Sequence, residues 1–257
     1  MSIDDMINTI VCGDCLEVMR GLPDGVFDAL ITDPPYSSGG QFRSDRSQSV
    51  AVKYVQTDSV QTCRTDFTGD NRDQRAFLVW CTMWLSEALR LTRPGGICAI
   101  FTDWRQLPTM TDAIQCGGWV WRNIVTWWKP GIRMQRGRFS SSAEYLVYGS
   151  RGVPTPGEDS PQNVLQCAPV AGSEKEHIAQ KPVKLLEDIL GVVPAGGLVL
   201  DPFCGSGTTL EAARNRGLRY VGIEIDPINC QIARKRIAAE KQGLTVAEME
   251  RGQMTLL

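Results

Sequence analysis

Residues 198–227 have the sequence LVLDPFCGSGTTLEAARNRGLRYVGIEIDP, which predicts a strand, a glycine loop, a helix and a second strand in succession. Gly205 and Gly207 allow a tight turn and let a ligand approach the backbone closely. The free N–H groups at the start of the helix favour a negative group. Glu224 ends the second strand, where its carboxylate can accept hydrogen bonds from ribose hydroxyls. The unit therefore predicts a site for a cofactor that contains a nucleoside.

A nicotinamide dinucleotide is the alternative ligand for such a unit. The usual fingerprint of its binding loop is G-x-G-x-x-G, and Leu210 occupies the position of the third glycine here. The missing glycine counts against an NAD-dependent oxidoreductase.

Strands and helices alternate along the rest of the chain. Apolar runs predict strands at 9–12, 26–32, 96–102, 119–127, 144–149, 197–200 and 219–225. Helices are predicted at 72–92, 182–193, 207–216 and 227–242. Such alternation is typical of a mostly parallel sheet with helices on both faces. Two long segments, 37–71 and 150–176, fit no element, and long loops of this kind are usually functional or disordered.

The predicted strand 26–32 is followed by a stiff acidic turn, Asp33-Pro34-Pro35-Tyr36. Each proline fixes its own φ and removes a backbone donor, and Pro34 pushes Asp33 away from helical angles. Ligands of parallel α/β sheets bind beyond the carboxyl ends of the strands, which is where this turn would lie. The alternative is an ordinary turn, because turns favour proline and aspartate.

The composition is that of an ordinary globular chain. Of its 257 residues, 42% are apolar and 22% charged, and a net charge of −2 excludes a global attraction to nucleic acid. Nine scattered cysteines do not form a disulfide framework, and the single Cys12–Cys15 C-x-x-C pair with one histidine, His177, argues against a zinc site. No apolar run approaches the ~20 residues of a membrane span, and the N-terminus lacks a signal pattern, so we expect a cytoplasmic protein.

Several segments resemble motifs of the S-adenosylmethionine-dependent DNA amino-methyltransferases. The tetrapeptide at 33–36 resembles their catalytic motif, and DPFCGSGTT at 201–209 resembles their cofactor loop. The segments HIAQKPVKLLEDIL at 177–190, GDCL at 13–16 and NIVTWWKP at 123–130 resemble three further elements of the family. The catalytic motif precedes the cofactor motif, an order similar to that of the β class.

The resemblance implies one Rossmann-like α/β methyltransferase domain over residues 1–257, with a seven-stranded sheet and S-adenosylmethionine as cofactor. The implied cofactor-binding residues are Asp14, Cys15, Lys181, Asp201, Phe203, Gly205, Gly207, Thr208, Thr209 and Glu224. Among them, Glu224 would hold the ribose, Asp14 the adenine edge, and Asp201 would lie near the methionine amine. Lys181 and the two threonines would hold the methionine end.

The implied catalytic residues are Asp33, Pro34, Pro35 and Tyr36. The lone pair of an exocyclic base nitrogen is delocalised, so this nitrogen is a poor nucleophile. Asp33 and the Pro34 carbonyl can accept its hydrogens and favour a pyramidal nitrogen, and the stiff prolines hold these acceptors in advance. Tyr36 offers a face on which a flipped base can stack, and no metal is needed.

Within the family, aspartate at the first motif position is more common for adenine and serine for cytosine. The resemblance therefore favours N6 of adenine in double-stranded DNA. The alternatives are N4 of cytosine, an RNA or protein amide acceptor, and a DNA-binding module that has lost catalysis.

Basic residues in two segments are the candidates for contacts with DNA, since arginines can read guanine edges and basic groups can position phosphates. They are Arg43 and Arg46 in the polar loop 37–71, and Lys129, Arg133, Arg136 and Arg138 in the candidate target-recognition region 129–176. The resemblance also implies a homodimer. The C-terminal GQMTLL weakly resembles Q-x-x-L-F peptides that bind a replication sliding clamp, although Met254 and Leu257 depart from that pattern.

Overall fold

The computed structural model describes residues 2–36, 72–132, 136–137, 139–170 and 181–241. Four of the predicted DNA contacts, Arg43, Arg46, Arg133 and Arg138, lie outside the described residues. So do His177, the whole segment 37–71 and the C-terminal tail with its predicted clamp contact.

One mixed sheet of eight strands forms the centre of the described chain. The strands are β1 (Thr9–Cys12), β2 (Phe27–Thr32), β3 (Thr92–Thr102), β4 (Val120–Trp128), β5 (Ala143–Ser150), β6 (Val164–Gln166), β7 (Leu198–Asp201) and β8 (Arg219–Glu224). Their order across the sheet is β1-β8-β7-β2-β3-β5-β4-β6. Every described strand except β5 runs in the same direction, since β5 is antiparallel to both β3 and β4. The expectation of a mostly parallel α/β sheet is confirmed.

The expected number of seven strands is corrected to eight in the described chain. The additional strand, β6, lies in the segment 150–176 that we predicted as a loop, and it pairs with β4 from Thr126↔Val164 to Trp128↔Gln166. Three residues are too few to show a strand periodicity in the sequence. Pairing with a long neighbouring strand, rather than local pattern, therefore determines β6.

Helices cover both faces of the sheet. They are α1 (Ile3–Met6), α2 (Cys15–Arg20), α3 (Gln74–Leu91), α4 (Leu107–Cys116), α5 (Val183–Leu190), α6 (Thr208–Asn215) and α7 (Pro227–Lys241). Successive strand residues point to opposite faces. Leu30 accordingly packs into a core with α2, α3 and α4, whereas Ile31 packs into a second core with α5, α6 and α7. None of the helices in the described ranges is long and apolar enough to cross a membrane.

The strand directions bring distant parts of the chain to one edge of the sheet. This edge is formed by the carboxyl ends of the parallel strands, among them β1, β8, β7, β2, β3 and β4. Strand β5 begins there because it runs in the opposite direction. Asp14, Asp33, Asp201 and Glu224 lie at or just after the ends of four neighbouring strands. This edge contains the candidate site.

Candidate active site

Asp201 is the last residue of β7 and is almost completely buried. Its Oδ1 accepts hydrogen bonds from the Thr32 hydroxyl at 2.6 Å and from the Phe203 amide at 3.1 Å. Burial raises the pKa of Asp201 to about 6, although hydrogen bonds from Thr32 and Thr209 favour the carboxylate. Thr32 ends β2, so this contact joins the turn that carries Asp33 to the glycine loop after β7.

The glycine loop adopts the conformation that the sequence predicts. Gly205 and Gly207 have positive φ angles of 50° and 84°, which side-chain-bearing residues rarely adopt. A Cβ at Gly205 would meet no atom of the described residues within 4 Å, whereas a Cβ at Gly207 would lie 3.1 Å from Ala233 of α7. Within the described chain, the loop is therefore open at Gly205 and packed tightly against α7 at Gly207.

Arg236 of α7 holds this loop from behind. Its guanidinium donates to the Ser206 carbonyl at 3.1 Å and to the Thr208 hydroxyl at 3.3 Å, and it forms an ion pair with Glu211. The hydroxyls of Thr208 and Thr209 thus both have protein partners, Arg236 and Asp201. No sequence pattern indicates Arg236, because only the packing of α7 brings it to the loop.

Glu224 and Asp14 lie side by side at the ends of β8 and β1. Cys12 pairs with Glu224 in the sheet, and the Gly13 amide donates to the Glu224 carbonyl at 2.9 Å. The Glu224 carboxylate accepts from the Gly205 amide at 2.9 Å and the Asp226 amide at 2.8 Å. Burial raises its pKa above the ordinary value. The Asn229 side chain also hydrogen-bonds this carboxylate, and a carboxylate, with about four acceptor positions, still has room for a further donor.

Asp14 caps α2, because its Oδ1 accepts from the amides of Leu16 and Glu17 at 2.9 and 3.2 Å. Cys15, the first residue of α2, is buried in the core, and burial raises the pKa of its thiol to about 12. Asp14 is therefore placed for a polar contact beside Glu224, whereas Cys15 offers an uncharged thiol.

Aromatic side chains border the loop on the side of α3. The Phe203 ring lies 5.3 Å from the ring of Trp80 and 5.2 Å from that of Trp84, between centroids. The guanidinium of Arg72 lies 4.2 Å from the Trp80 ring centroid. The sequence predicts a helix at 72–92, but not that its tryptophans adjoin the glycine loop.

Both carboxylate oxygens of Asp33 are hydrogen-bonded within the described site. The Tyr36 hydroxyl donates to Oδ1, and the ammonium of Lys181 donates to Oδ2. Lys181 Nζ also lies 3.4 Å from the Tyr36 hydroxyl and 5.0 Å from the Phe101 ring centroid. Burial and the neighbouring Asp33 raise the pKa of Tyr36 well above its ordinary value, so Tyr36 remains a donor. The predicted catalytic turn is thus a compact polar cluster.

The resemblance assigns Lys181 to the methionine end of the cofactor. In the structure its ammonium lies between two carboxylates, Asp33 and Glu144, with its Nζ 3.5 Å from Glu144 Oε2. Glu144 is the second residue of β5 and was not among the predicted site residues. No pattern in the sequence marks it, because an acid near the start of a strand is usually a surface residue.

Lys129 also differs in position from our expectation of a phosphate contact. It forms an ion pair with Glu144, lies 4.7 Å from the Trp127 ring centroid, and its side chain is only 14% exposed. Because its charge is neutralised inside the protein, we remove Lys129 from the set of candidate DNA contacts. Arg136, by contrast, is exposed.

The polar residues at this edge do not form a metal site. Across the described part of the chain, no cluster of three or more histidine, cysteine, aspartate or glutamate side chains could hold a metal ion.

Comparisons with known proteins agree with the motifs. A family model described as DNA methylase (N6_N4_Mtase) matches residues 27–235. The type II methyltransferase M.HinfI of Haemophilus influenzae is 26% identical over 260 residues, which span 92% of this chain and 70% of M.HinfI.

Two solved structures share the fold. M1.HpyAVI in complex with SAM is 22% identical with a TM-score of 0.64, covering 89% of this chain and 98% of that one. The cytosine-N4-specific PvuII DNA methyltransferase is 16% identical with a TM-score of 0.66, covering 87% and 84%. Because the family model matches most of the chain, the protein belongs to the N6/N4 DNA methylase family.

Proposed function

We propose that the protein transfers the methyl group of S-adenosylmethionine to N6 of adenine in double-stranded DNA. The 2.6 Å hydrogen bond from Thr32 to Asp201 carries this proposal, because it fastens the Asp33 turn directly to the glycine loop. A group bound at the loop and a base at the turn are thereby held next to each other, which is what direct transfer between them needs.

The loop side suits S-adenosylmethionine, which supplies an electrophilic methyl group on a sulfonium. The open space at Gly205 admits a ligand, and Glu224 beside it can accept from ribose hydroxyls. Asp14 next to Glu224 can accept from the adenine amino group. The buried Asp201 can accept from the methionine ammonium, since at neutral pH a carboxyl with a pKa of about 6 is mostly ionised.

The turn side suits an exocyclic amino group. Asp33 and the Pro34 carbonyl accept its hydrogens and direct its lone pair away from the ring. Each Asp33 oxygen already accepts one hydrogen bond and has a second lone pair for the target amine. The ammonium of Lys181 donates to Asp33 Oδ2, and Asp33 receives or relays the proton that the nitrogen loses after transfer. The Tyr36 ring beside this carboxylate offers a stacking face.

The choice of adenine rests on Asp33. Aspartate at the first motif position favours adenine in proteins that this chain resembles, whereas the fold is shared with a cytosine-N4-specific enzyme. N4 of cytosine is therefore the second candidate. Its amino group could make the same contacts to Asp33 and Pro34, so the mechanism is unchanged for either base.

Double-stranded DNA would approach the edge of the sheet where β2 and β4 end. The segment 37–71, with Arg43 and Arg46, begins directly after Tyr36, and the segment with Arg133, Arg136 and Arg138 follows β4. Both segments leave the sheet at the edge that holds Asp33. They are therefore our proposed contacts with DNA, without Lys129.

The test is to incubate the purified protein with S-adenosylmethionine and unmethylated double-stranded DNA, digest the DNA to nucleosides and analyse them by mass spectrometry. N6-methyladenine is the expected product. Detection of N4-methylcytosine would be consistent with the mechanism but would show that the target base is cytosine and not adenine. Absence of both, in a protein that binds S-adenosylmethionine, would contradict DNA as the acceptor.

A further inference from the structure

Four charged side chains of alternating sign form a line that starts at Asp33. In order they are Asp33, Lys181, Glu144 and Lys129, and we call them the charge ladder. Asp33 follows β2, Glu144 is the second residue of β5, Lys129 follows β4, and Lys181 immediately precedes the N-cap of α5. The reversed direction of β5 brings Glu144 to the edge at which β2 and β4 end.

The ladder is partly enclosed by protein. Side-chain exposure is 24% for Asp33, 10% for Lys181, 23% for Glu144 and 14% for Lys129. Charges in such a position are screened by salt less than surface charges. Removal of one partner therefore leaves an uncompensated charge that the remaining members must accommodate.

The charges stabilise one another in the expected directions. Burial opposes the charge of Lys181, but the carboxylates of Asp33 and Glu144 outweigh it and raise the Lys181 pKa. Burial would likewise raise the Glu144 pKa, but Lys181 and Lys129 lower it. Lys181 is therefore an ammonium at neutral pH, shared by two carboxylates.

Sharing matters because Lys181 and the target amine use the same acceptor. An ammonium held by Asp33 alone would compete with the target amine for the Asp33 oxygens. Glu144 attracts the Lys181 ammonium from the side opposite Asp33, so Lys181 interacts less strongly with the Asp33 oxygens. With all four members charged the ladder is neutral. Without the charge of Glu144 it carries one net positive charge, which opposes the positive charge that develops on the target nitrogen during transfer.

We propose that Glu144 is a positioning residue for methyl transfer: it holds Lys181 between two carboxylates, keeps the ladder neutral and leaves Asp33 able to accept from the target amine. Lys129 in turn keeps Glu144 ionised. This inference rests on the proposed function and adds to it two residues, Glu144 and Lys129, that act through Lys181.

The principal variant is Glu144→Gln, which keeps the shape and removes the charge. We expect the single-turnover rate constant at saturating DNA and S-adenosylmethionine to fall about 10-fold or more. The dissociation constant for S-adenosylmethionine and the melting temperature should change little. Lys184→Met is the matched control, because Lys184 forms an ion pair with Asp188 on α5 and is 70% exposed. Its rate should equal that of the wild type.

Lys129→Met supplies an independent test through pH. The groups that face Glu144 in the described chain are Lys129, Lys181 and the Tyr36 hydroxyl. Loss of Lys129 raises the pKa of Glu144, so Glu144 becomes protonated at a higher pH. The acidic limb of the rate profile should move up by about one pH unit. Adding Lys129→Met to Glu144→Gln makes the remaining charges of the ladder neutral again, so the double variant should recover part of the lost rate.

If the wild type methylates DNA and Glu144→Gln has the same rate, the proposed role of Glu144 is wrong, while the proposed function stands. The role of Glu144 is also wrong if a lower melting temperature or weaker cofactor binding accounts entirely for the lower rate of Glu144→Gln. If Glu144→Gln does not fold, an unshifted profile in Lys129→Met overturns the inference. A wild type that methylates no DNA contradicts the proposed function, and the ladder with it.

Discussion

The hydroxyl of Thr32 donates a 2.6 Å hydrogen bond to the carboxylate of Asp201, across 169 positions of the sequence. Both residues are buried, and they end the neighbouring strands β2 and β7. This bond couples the turn that begins at Asp33 to the loop that begins at Pro202. The geometry of the site therefore depends on a buried hydrogen bond between its two halves.

Thr32→Val tests this coupling. The variant removes one donor from a buried carboxylate, and loss of a hydrogen bond to a charged group costs about 2 kcal/mol in the free energy of unfolding. We also expect weaker binding of S-adenosylmethionine, measured by calorimetry. Thr92→Val is the matched control, because Thr92 is buried, donates to the Ala88 carbonyl and begins β3 at the opposite edge. It should lose stability without losing affinity; equal affinities in all three proteins would contradict the coupling.

Asp201 should make unfolding depend on pH. Its pKa rises from 3.8 in the unfolded chain to about 6 in the folded protein, so the folded state binds the proton more tightly. The contribution of Asp201 to stability is present at low pH and is lost as pH rises from about 4 to 6, by about 3 kcal/mol in total. Urea unfolding of Asp201→Asn should lack this loss. Parallel pH profiles of the two proteins would contradict the raised pKa.

Asp33→Asn tests the acceptor at the turn. Asparagine keeps the shape but not the charge, so we expect methyl transfer to fall by a factor of about 100 or more. Binding of S-adenosylmethionine should persist, because the loop after β7 is intact. The measurement is a single-turnover assay with a parallel binding titration, and a normal rate in this variant would refute the mechanism.

Phe203→Ala tests the aromatic border of the loop. Loss of the contacts with Trp80 and Trp84 should lower the free energy of unfolding by about 2 kcal/mol, less than for a fully buried phenylalanine. Cofactor affinity should fall as well. Phe139→Ala, at a fully exposed position, should leave the stability unchanged. If Phe203→Ala has wild-type stability and affinity, Phe203 is not part of the pocket.

The proposed DNA contacts can be tested by the dependence of binding on salt. Replacement of Arg133, Arg136 and Arg138 by alanine should reduce the slope of log affinity against log salt by about 2 to 3. Lys129→Met should leave the slope unchanged, because Glu144 already neutralises Lys129. An unchanged slope in the triple variant would exclude the arginine segment as a phosphate contact.

The sequence by itself determined which residues could carry the chemistry and which strands present them. The glycines at 205 and 207, and the prolines at 34 and 35, act through local backbone geometry, which a short segment specifies without its neighbours. Alternating strands and helices predicted a mostly parallel sheet, and a parallel sheet places strand ends at one edge. The sequence therefore predicts that Asp33 and the loop from Asp201 lie at the same edge of the sheet.

Only the tertiary structure decided which of these residues touch. Strand order and direction are set by pairing and packing over the whole chain, and no local pattern shows that β5 runs backwards between β3 and β4. That reversal places Glu144 beside Lys181 and Lys129. Asp33 is therefore paired with an ammonium for which the resemblance implied a role at the cofactor. Buried charges pair with the opposite charges that lie nearest to them. Asp33 and Lys181 are 148 positions apart in the sequence, and only the folded sheet brings them together.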